Sequence, residues 1–524
     1  MSASELAFVK GEAESGSTAV RIARVLPFFL WVCASQWLLY GVSLLSYSLF
    51  GVLLAFVVSV RAMALSGLFR ILGLIIVLLL MSLSQWLSYA EHVPLWSPYR
   101  VIHIIAAGIA CWLLMPQGQL FRAVKALPLL NSMFFLVVFM LGLVNGQTMQ
   151  AAEWSVFMLE TLCFSAALFL WGHRQRGLWG YVLLVFLLLV LMTFSNVTAL
   201  SETIALGEWS RVFSMAGHLL FVAAIYIWGR NESGAATVVL VGMACCIVFY
   251  SMYMVAFWIS LDNPATYRWF SAPPLFQHIR HQGYLLCGLA VGAAFLFLKS
   301  QQPSRVPQLL VFLSFSLLFW NGGRGAILGV VVGVLILGVG FPFRDYCQRC
   351  WRILIIALLA LCVSAIFRVE ERGVGWLNAL FRSEAESING LSSGRLFIWA
   401  RLIEPIQERI WFGWGGDGFK SVWTGSSLII QAHNGLLQML LEWGGGATAI
   451  LCGAMLVMLA LGTRAALAAR ASVLEPTSIL LLGLGLSFAY LTLAVFDGVF
   501  YYATPGAYLA LGFGMTWAGL VNRT

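Results

Sequence analysis

Apolar runs of roughly 17 to 25 residues, long enough to cross a bilayer core as helices, recur along most of the 524-residue chain and alternate with short polar segments. The pattern predicts membrane helices near 25–42, 44–60, 71–88, 101–116, 127–145, 154–171, 179–195, 212–228, 235–260, 283–298, 308–320, 325–341, 353–367, 434–460, 477–496 and 504–521. The short runs 308–320, 325–341 and 353–367 and the tight junction at 42–44 allow a smaller count, so the prediction is about 14–16 helices. Strand-period alternation of the outer-membrane barrel type is absent. The expected fold class is an all-α polytopic membrane protein.

The polar segments give the orientation. With the N-terminus inside, the inner segments 61–70, 117–126, 172–178, 229–234, 299–307, 342–352 and 461–476 all carry Lys or Arg, as the positive-inside rule requires. The short outer segments are poorer in basic residues. Both termini are then cytoplasmic, and residues 1–24 form a polar tail without the signature of a cleavable signal peptide.

One segment breaks the run of short connections. Residues 368–432 form a long, polar outer loop, a length that usually marks function or disorder. Within it, 395–410 has apolar residues at helical spacing, opens after "SSG" and ends near "GWGGDG", so an amphipathic helix against the outer membrane face is predicted. The organisation is a tail (1–24), an N-terminal helix array (25–275), a region 276–460 that includes the loop, and C-terminal helices (461–524).

Composition agrees: 61% of residues are hydrophobic and only 10% charged, against about 25% charged in soluble domains. The net charge of +9 falls in short loops and does not point to nucleic acid. The ten cysteines lie mostly inside apolar runs, where Cys acts as a small hydrophobe. Cys347 and Cys350 form a CxxC in a basic loop without a second pair or a nearby His, so neither zinc nor redox chemistry is expected there.

Four outer-side features could carry chemistry. Arg324, in "WNGGRGAILG", stands in a glycine-lined turn at a helix start, where exposed amides and a guanidinium suit an anion such as phosphate. The competing reading is an interfacial arginine that snorkels. Arg395 opens the amphipathic helix, where Arg401 and Arg409 are equally good candidates by position. His433 and Asn434 precede a membrane helix. Asn434 is a natural N-cap, and Glu442 sits within the apolar pattern, where a carboxylate is functional or paired. Arg280 stands between His278 and His281 in "PPLFQHIRHQGY"; an anion site fits better there than a metal, since no carboxylate or Cys accompanies the histidines. The only aspartates are Asp262, Asp345, Asp417 and Asp497, with no DxD motif and no Walker or Rossmann fingerprint. An arginine-rich site beside lipid fits a substrate with a diphosphate and a long lipid tail.

The ordered set "GGRGAILG", "SGRLFIWARLIEPIQERIWFGWGGDGF" and "AHNGLLQMLLEWGG" resembles the signature of the O-antigen ligase, O-antigen polymerase and protein O-oligosaccharyltransferase superfamily. The matching positions are Arg324-Gly325, Gly394-Arg395 with Trp399, Phe412-Gly413 with Gly415, and His433-Asn434 with Glu442 and Gly444. The family often has Pro before the Gly-x-Gly segment, where this chain has Trp411 and Phe412. The resemblance covers about 276–460.

It implies a metal-independent, cofactor-free glycosyltransferase of GT-C-like architecture in the bacterial inner membrane, with its active site on the periplasmic face. The donor would be a glycan on undecaprenyl diphosphate, held beside membrane lipid. The acceptor would be lipid A-core, another glycan or a protein. Arg324 and Arg395 would stabilise the leaving diphosphate, with Arg280 as a weaker third. His433 would orient the acceptor hydroxyl or take its proton, with Asn434 and Glu442 as supporting partners. Ligase, polymerase and protein-directed transferase share these expectations. A flippase or transporter would instead spread basic residues along a cavity on both sides of the midplane.

Overall fold

The computed structural model describes residues 178–199, 206–232, 234–300, 305–371, 373–375, 394–426, 429–469 and 475–521, with Ser392 and scattered positions between 156 and 167. The chain divides into two units, 1–140 and 141–524, and all described residues belong to the second. The helices expected between 25 and 145 lie outside the described residues.

Every regular element among the described residues is helical: α1 (Trp179–Ala199), α2 (Leu206–Asn231), α3 (Ala235–Ser260), α4 (Ile279–Lys299), α5 (Arg305–Asn321), α6 (Arg324–Leu337), α7 (Phe343–Ser364), α8 (Arg395–Glu408), α9 (Gly418–Val422), α10 (Gly435–Ala468), α11 (Glu475–Phe496) and α12 (Ala503–Val521), with short 3-10 turns at 264–266 and 338–340. Seven of them are long and apolar enough to cross a membrane: α1, α2, α3, α4, α7, α10 and α11. The protein is an all-α, multi-pass membrane protein.

Several helices outrun the apolar segments that predicted them. The expected inner loop 342–352 is helical from Phe343, and α10 continues to Ala468, into the expected loop 461–476. The apolar run marks the hydrocarbon layer, whereas a helix continues into the headgroup region wherever its charged side chains reach water. In the other direction, the predicted 325–341 helix ends at Leu337 and tightens into a 3-10 turn.

Helix α4 is buried along almost its whole length, between α5, α6 and α11. Small residues let α6 and α11 touch backbone to backbone. A Cβ on Gly329 would lie 2.7 Å from the Ala489 carbonyl oxygen, and one on Gly333 would lie 2.9 Å from that of Gly485. Without a hydrophobic drive between helices in lipid, such close approach supplies the packing energy. A second cluster joins α1, α2 and α10 through Leu188, Met192, Met215, Met439 and Trp443.

Helix direction gathers the unusual polar residues at one end. There α4, α6 and α10 begin and α5 and α11 finish. At the opposite end, Arg349 of α7 donates to the carbonyls of Leu298 and Ser300, the latter at 2.9 Å.

Candidate functional site

The site forms where five helix termini and the outer segment meet. Helix α5 ends in Asn321, which is buried. Its Nδ2 donates to the Ile279 carbonyl (2.7 Å) and to Gln282 Oε1 (2.8 Å), and its Oδ1 accepts from Gly323 N (3.1 Å). This amide fixes the turn that starts α6 against the start of α4. Gly322 (φ 74°) takes the left-handed conformation there, and a Cβ would lie 2.7 Å from the Gly375 carbonyl oxygen. Only glycine fits both demands. Arg324 is consequently the first residue of α6, beside amides that no helical carbonyl satisfies.

Arg280 is set by a side-chain cap. His278 Nδ1 accepts from the Arg280 amide (3.1 Å) and starts α4. The His278 imidazole is therefore committed to the cap, and burial, with Arg280 nearby, depresses its pKa to about 3. His281 lies buried against Tyr502, ring centres 4.7 Å apart. Among the described residues, no three His, Cys, Asp or Glu side chains come together as a metal-ligand group.

Arg280, Arg324 and Arg395 line one cavity of about 110 Å³, with Asn321, Gly323, Gly325 and Asp497 also in its wall. A second hollow of about 330 Å³ shares Arg324, Gly325, Arg395 and Phe496 and continues along Leu328, Leu396 and Trp399. Three guanidiniums thus face a polar chamber that adjoins a more apolar one. Burial lowers the Arg395 pKa from its ordinary value, and the neighbouring charges of Arg280 and Arg324 add to the effect, with Asp497 opposing. A cluster of this sign favours a multiply charged anion. Arg401 and Arg409 are used elsewhere: the first lies 4.4 Å over the Phe397 ring, the second 4.6 Å over Trp414.

His433 stands at the mouth of α10 with φ 51°, a conformation uncommon for residues other than glycine. Its Nδ1 lies 3.3 Å from Asp497 Oδ1, and Arg280 Nη1 lies 3.2 Å from Nε2 and 3.4 Å from Nδ1, over the ring. A carboxylate only accepts, so the neutral tautomer that suits Asp497 carries its proton on Nδ1 and a lone pair on Nε2. Burial lowers the His433 pKa; the Asp497 hydrogen bond and charge pull it back up, and Arg280 and Arg395 lower it again, for a net depression. Burial alone would raise the Asp497 carboxyl, but the His433 hydrogen bond and the charges of Arg280 and Arg395 hold it well below the usual range. Asp497 also accepts from Gln431 Nε2 (3.4 Å) and from the Gly498 amide (2.9 Å).

Asp497 is the candidate residue that the sequence reading missed. It sits in a six-residue turn between two apolar helices and matches no motif. Its rarity was the available signal, as one of four aspartates in the chain.

The remaining predicted residues hold these groups in place. Asn434 Oδ1 accepts from Leu437 N (3.0 Å) as the N-cap of α10, while its Nδ2 donates to the Val495 carbonyl (3.0 Å), two residues before Asp497. Ala432 is fastened on both sides. Its amide donates to Gln438 Oε1 (2.7 Å), and its carbonyl accepts from the Trp399 indole (2.9 Å), one turn along α8 from Arg395. Gln438 Nε2 donates to Glu442 Oε1 (2.7 Å), which also accepts from the Asp417 amide (3.1 Å). Glu442 therefore ties the glycine-rich loop to α10.

That loop is grafted into a break in the helix. At Gly444 (φ 69°, ψ 179°) α10 is non-helical, so the carbonyls of Leu441 and Glu442 lose their usual partners four residues on. Trp414 N (2.7 Å) and Gly415 N (2.9 Å) replace them, while Gly445 N donates to Ile410 O (2.6 Å) and Gly446 N to Trp411 O (3.4 Å). Four backbone groups change partners and none is orphaned, which buried backbone requires.

A family model described as O-antigen ligase matches residues 309–452. Comparison with curated proteins gives no match. The matched span runs from within α5 into α10 and holds Arg324, Arg395 and His433, whereas Arg280 and Asp497 come from α4 and the turn after α11, outside it. With these motifs inside the match, on an all-α membrane scaffold, residues 309–452 are similar to the O-antigen ligase family.

Proposed function

We propose that the protein transfers a glycan from undecaprenyl diphosphate to a hydroxyl of lipid A-core at the periplasmic face of the bacterial inner membrane. The observation that carries this reading is the convergence of Arg280, Arg324 and Arg395 on one cavity whose wall also bears Asp497, the partner of His433.

In this reaction the acceptor oxygen bonds to the anomeric carbon as the bond from that carbon to the diphosphate oxygen breaks. The sugar becomes oxocarbenium-like while negative charge grows on the leaving group. Arg324 and Arg395, with the amides at the start of α6, stabilise that charge, and because they are fixed in advance they need no reorganisation. His433 Nε2 takes the acceptor proton, and Asp497 holds the ring and stabilises the imidazolium that forms. Arg280, which lies over the His433 ring and lines the same cavity, adds its charge to the diphosphate side.

Charge supports the periplasmic assignment. The helix ends on the side opposite the site carry Arg230, Lys299, Arg305, Arg344, Arg349, Arg352 and Arg464, and basic residues flanking membrane helices favour the cytoplasm.

The test is to delete the gene and separate the surface glycans by gel and mass spectrometry. Free lipid A-core beside polymer retained on undecaprenyl diphosphate is the expected result. Lipid A-core bearing a single repeat would make the protein a polymerase, and intact lipopolysaccharide with an unglycosylated protein a protein-directed transferase. Unchanged glycans would overturn the reading.

A further inference from the structure

Helices α3, α5 and α7 enclose an apolar cavity of about 210 Å³, walled by Met254, Val255, Phe312, Leu317, Val363 and Phe367. A dry apolar cavity of about 150 Å³ already accepts benzene, so this one is large enough for part of a hydrocarbon chain. Its lining residue Val255 is 48% exposed, so the cavity opens on the apolar outer surface of the bundle.

Two lining residues do not fit a purely apolar purpose. The hydroxyls of Ser251 and Ser316 face this cavity, are buried and have no hydrogen-bond partner among the described residues. Other serines on the same three helices bond back to their own backbone: Ser260 to Phe257 O (2.8 Å), Ser314 to Val311 O (3.2 Å) and Ser364 to Leu361 O (2.7 Å). Buried polar atoms are normally satisfied, and two orphans sharing one cavity call for a missing polar partner.

Depth identifies the partner. Trp258, Trp269, Trp320 and Phe367 form a ring cluster at the end of the cavity nearest the site, with Trp269 and Trp320 centres 5.0 Å apart and Trp258 and Phe367 centres 5.4 Å apart. Tryptophans collect at the membrane–water interface. Ser316 lies one turn below Trp320 and Ser251 two turns below Trp258, so both sit roughly 6 to 10 Å beneath that level. At this depth a membrane lipid turns from ester oxygens to acyl chain.

We propose that this cavity binds one fatty-acyl chain of a membrane lipid, with an oxygen at the head of the chain accepting from Ser251 and Ser316. A polyprenyl chain, which carries no oxygen along its length, would leave both hydroxyls unsatisfied. The proposal stands apart from glycan transfer.

The experiment uses the full-length protein in nanodiscs. One preparation contains phosphatidylethanolamine with a diazirine on its acyl chain, the other a diazirine-bearing polyprenyl phosphate, and adducts are mapped by mass spectrometry after irradiation. The acyl probe is expected to label the peptides that contain Met254 and Leu317. Ser316→Phe, which fills the cavity, should remove those adducts. Ser251→Ala with Ser316→Ala, which keeps the volume, should reduce them about 30-fold, the loss expected for two hydrogen bonds. Elution profile and thermal melting establish that each variant folds, and the double alanine variant decides the matter if the filled cavity does not. Labelling of these peptides that neither variant changes, preferential labelling by the polyprenyl probe, or acyl adducts only elsewhere would each overturn the proposal.

Discussion

Asp497 and His433 lie 64 residues apart in the chain, yet their side chains meet at 3.3 Å, the carboxylate on Nδ1 of the ring. As the base of the proposed reaction, His433 must be neutral, and its pKa lies below the ordinary 6.5. Turnover is expected to be level above about pH 6.5 and to fall as pH drops through the depressed value. Asp497→Asn removes the hydrogen bond and charge that pull this pKa up, so the acid limb should move to lower pH while kcat falls. Arg280→Ala removes a cation that pushes it down, so the limb should move up. These opposite displacements, read from pH–rate profiles of the purified protein, would be absent if His433 served only to shape the loop.

Replacing His433 by Ala should lower kcat by about 10²–10⁴, the usual worth of a positioned base. Arg324→Ala and Arg395→Ala should each lower it by about 10²–10³. The loss should fall on kcat more than on the KM for the acceptor, because the arginines face charge that develops only as the diphosphate leaves. A rise confined to the acceptor KM would instead put these arginines on the acceptor side.

The membrane class and the singling out of Arg324, Arg395 and His433 as candidates were legible because apolar runs and short motifs are local signals. The pairing of His433 with Asp497 was not. It depends on where α11 stops relative to the mouth of α10, and no spacing along the chain encodes that distance. Position in the loop could not rank Arg395 above Arg401 and Arg409 either. The difference is tertiary: Arg395 faces the cavity, whereas the other two lie over aromatic rings. Glu442 stood out as a carboxylate in an apolar run, but its partners, the Gln438 side chain and the Asp417 amide, become visible only once the loop is seated.

The turn that carries Asp497 is latched from outside. Asp417 Oδ1 accepts from Arg211 Nε (3.2 Å) and from the Tyr501 hydroxyl (2.8 Å), its Oδ2 accepts from Lys420 Nζ (2.9 Å), and Arg211 lies 3.6 Å over the Tyr501 ring. Burial would raise the Asp417 carboxyl, but Arg211, Lys420 and Tyr501 together hold it below the ordinary 3.8. Its contribution to stability is therefore present above about pH 4 and lost as pH falls through the depressed value. Tyr501→Phe should cost about 1.5–3 kcal/mol, the range for a hydrogen bond to a charged group. The difference in melting temperature from the parent should narrow as the pH drops below 4. A difference independent of pH would mean that Tyr501 contributes by packing alone.

Gly444 tests whether the graft of the loop into α10 positions the site. Its φ of 69° disfavours any side chain, and a Cβ would collide with the carbonyl of Trp411. Gly444→Ala therefore meets a penalty of roughly 1–3 kcal/mol for a backbone region open essentially to glycine, together with a steric clash. The backbone relieves both by rejoining the helix, which reclaims the carbonyls of Leu441 and Glu442 from Trp414 and Gly415. The loop then loses its seat, and Glu442 loses the Asp417 amide. Hydrogen exchange should quicken at the amides of 413–418 while the rest of α10 stays protected, and activity should fall although His433 and the three arginines are all present. Gly453→Ala, on the same helix, provides the control, because a Cβ there meets nothing within 4 Å and the more helix-favouring residue should be neutral or mildly stabilising. Equal exchange and equal activity in the two variants would show that the graft only fills space and leaves the dyad to be held by Asn434 and the cap of α10.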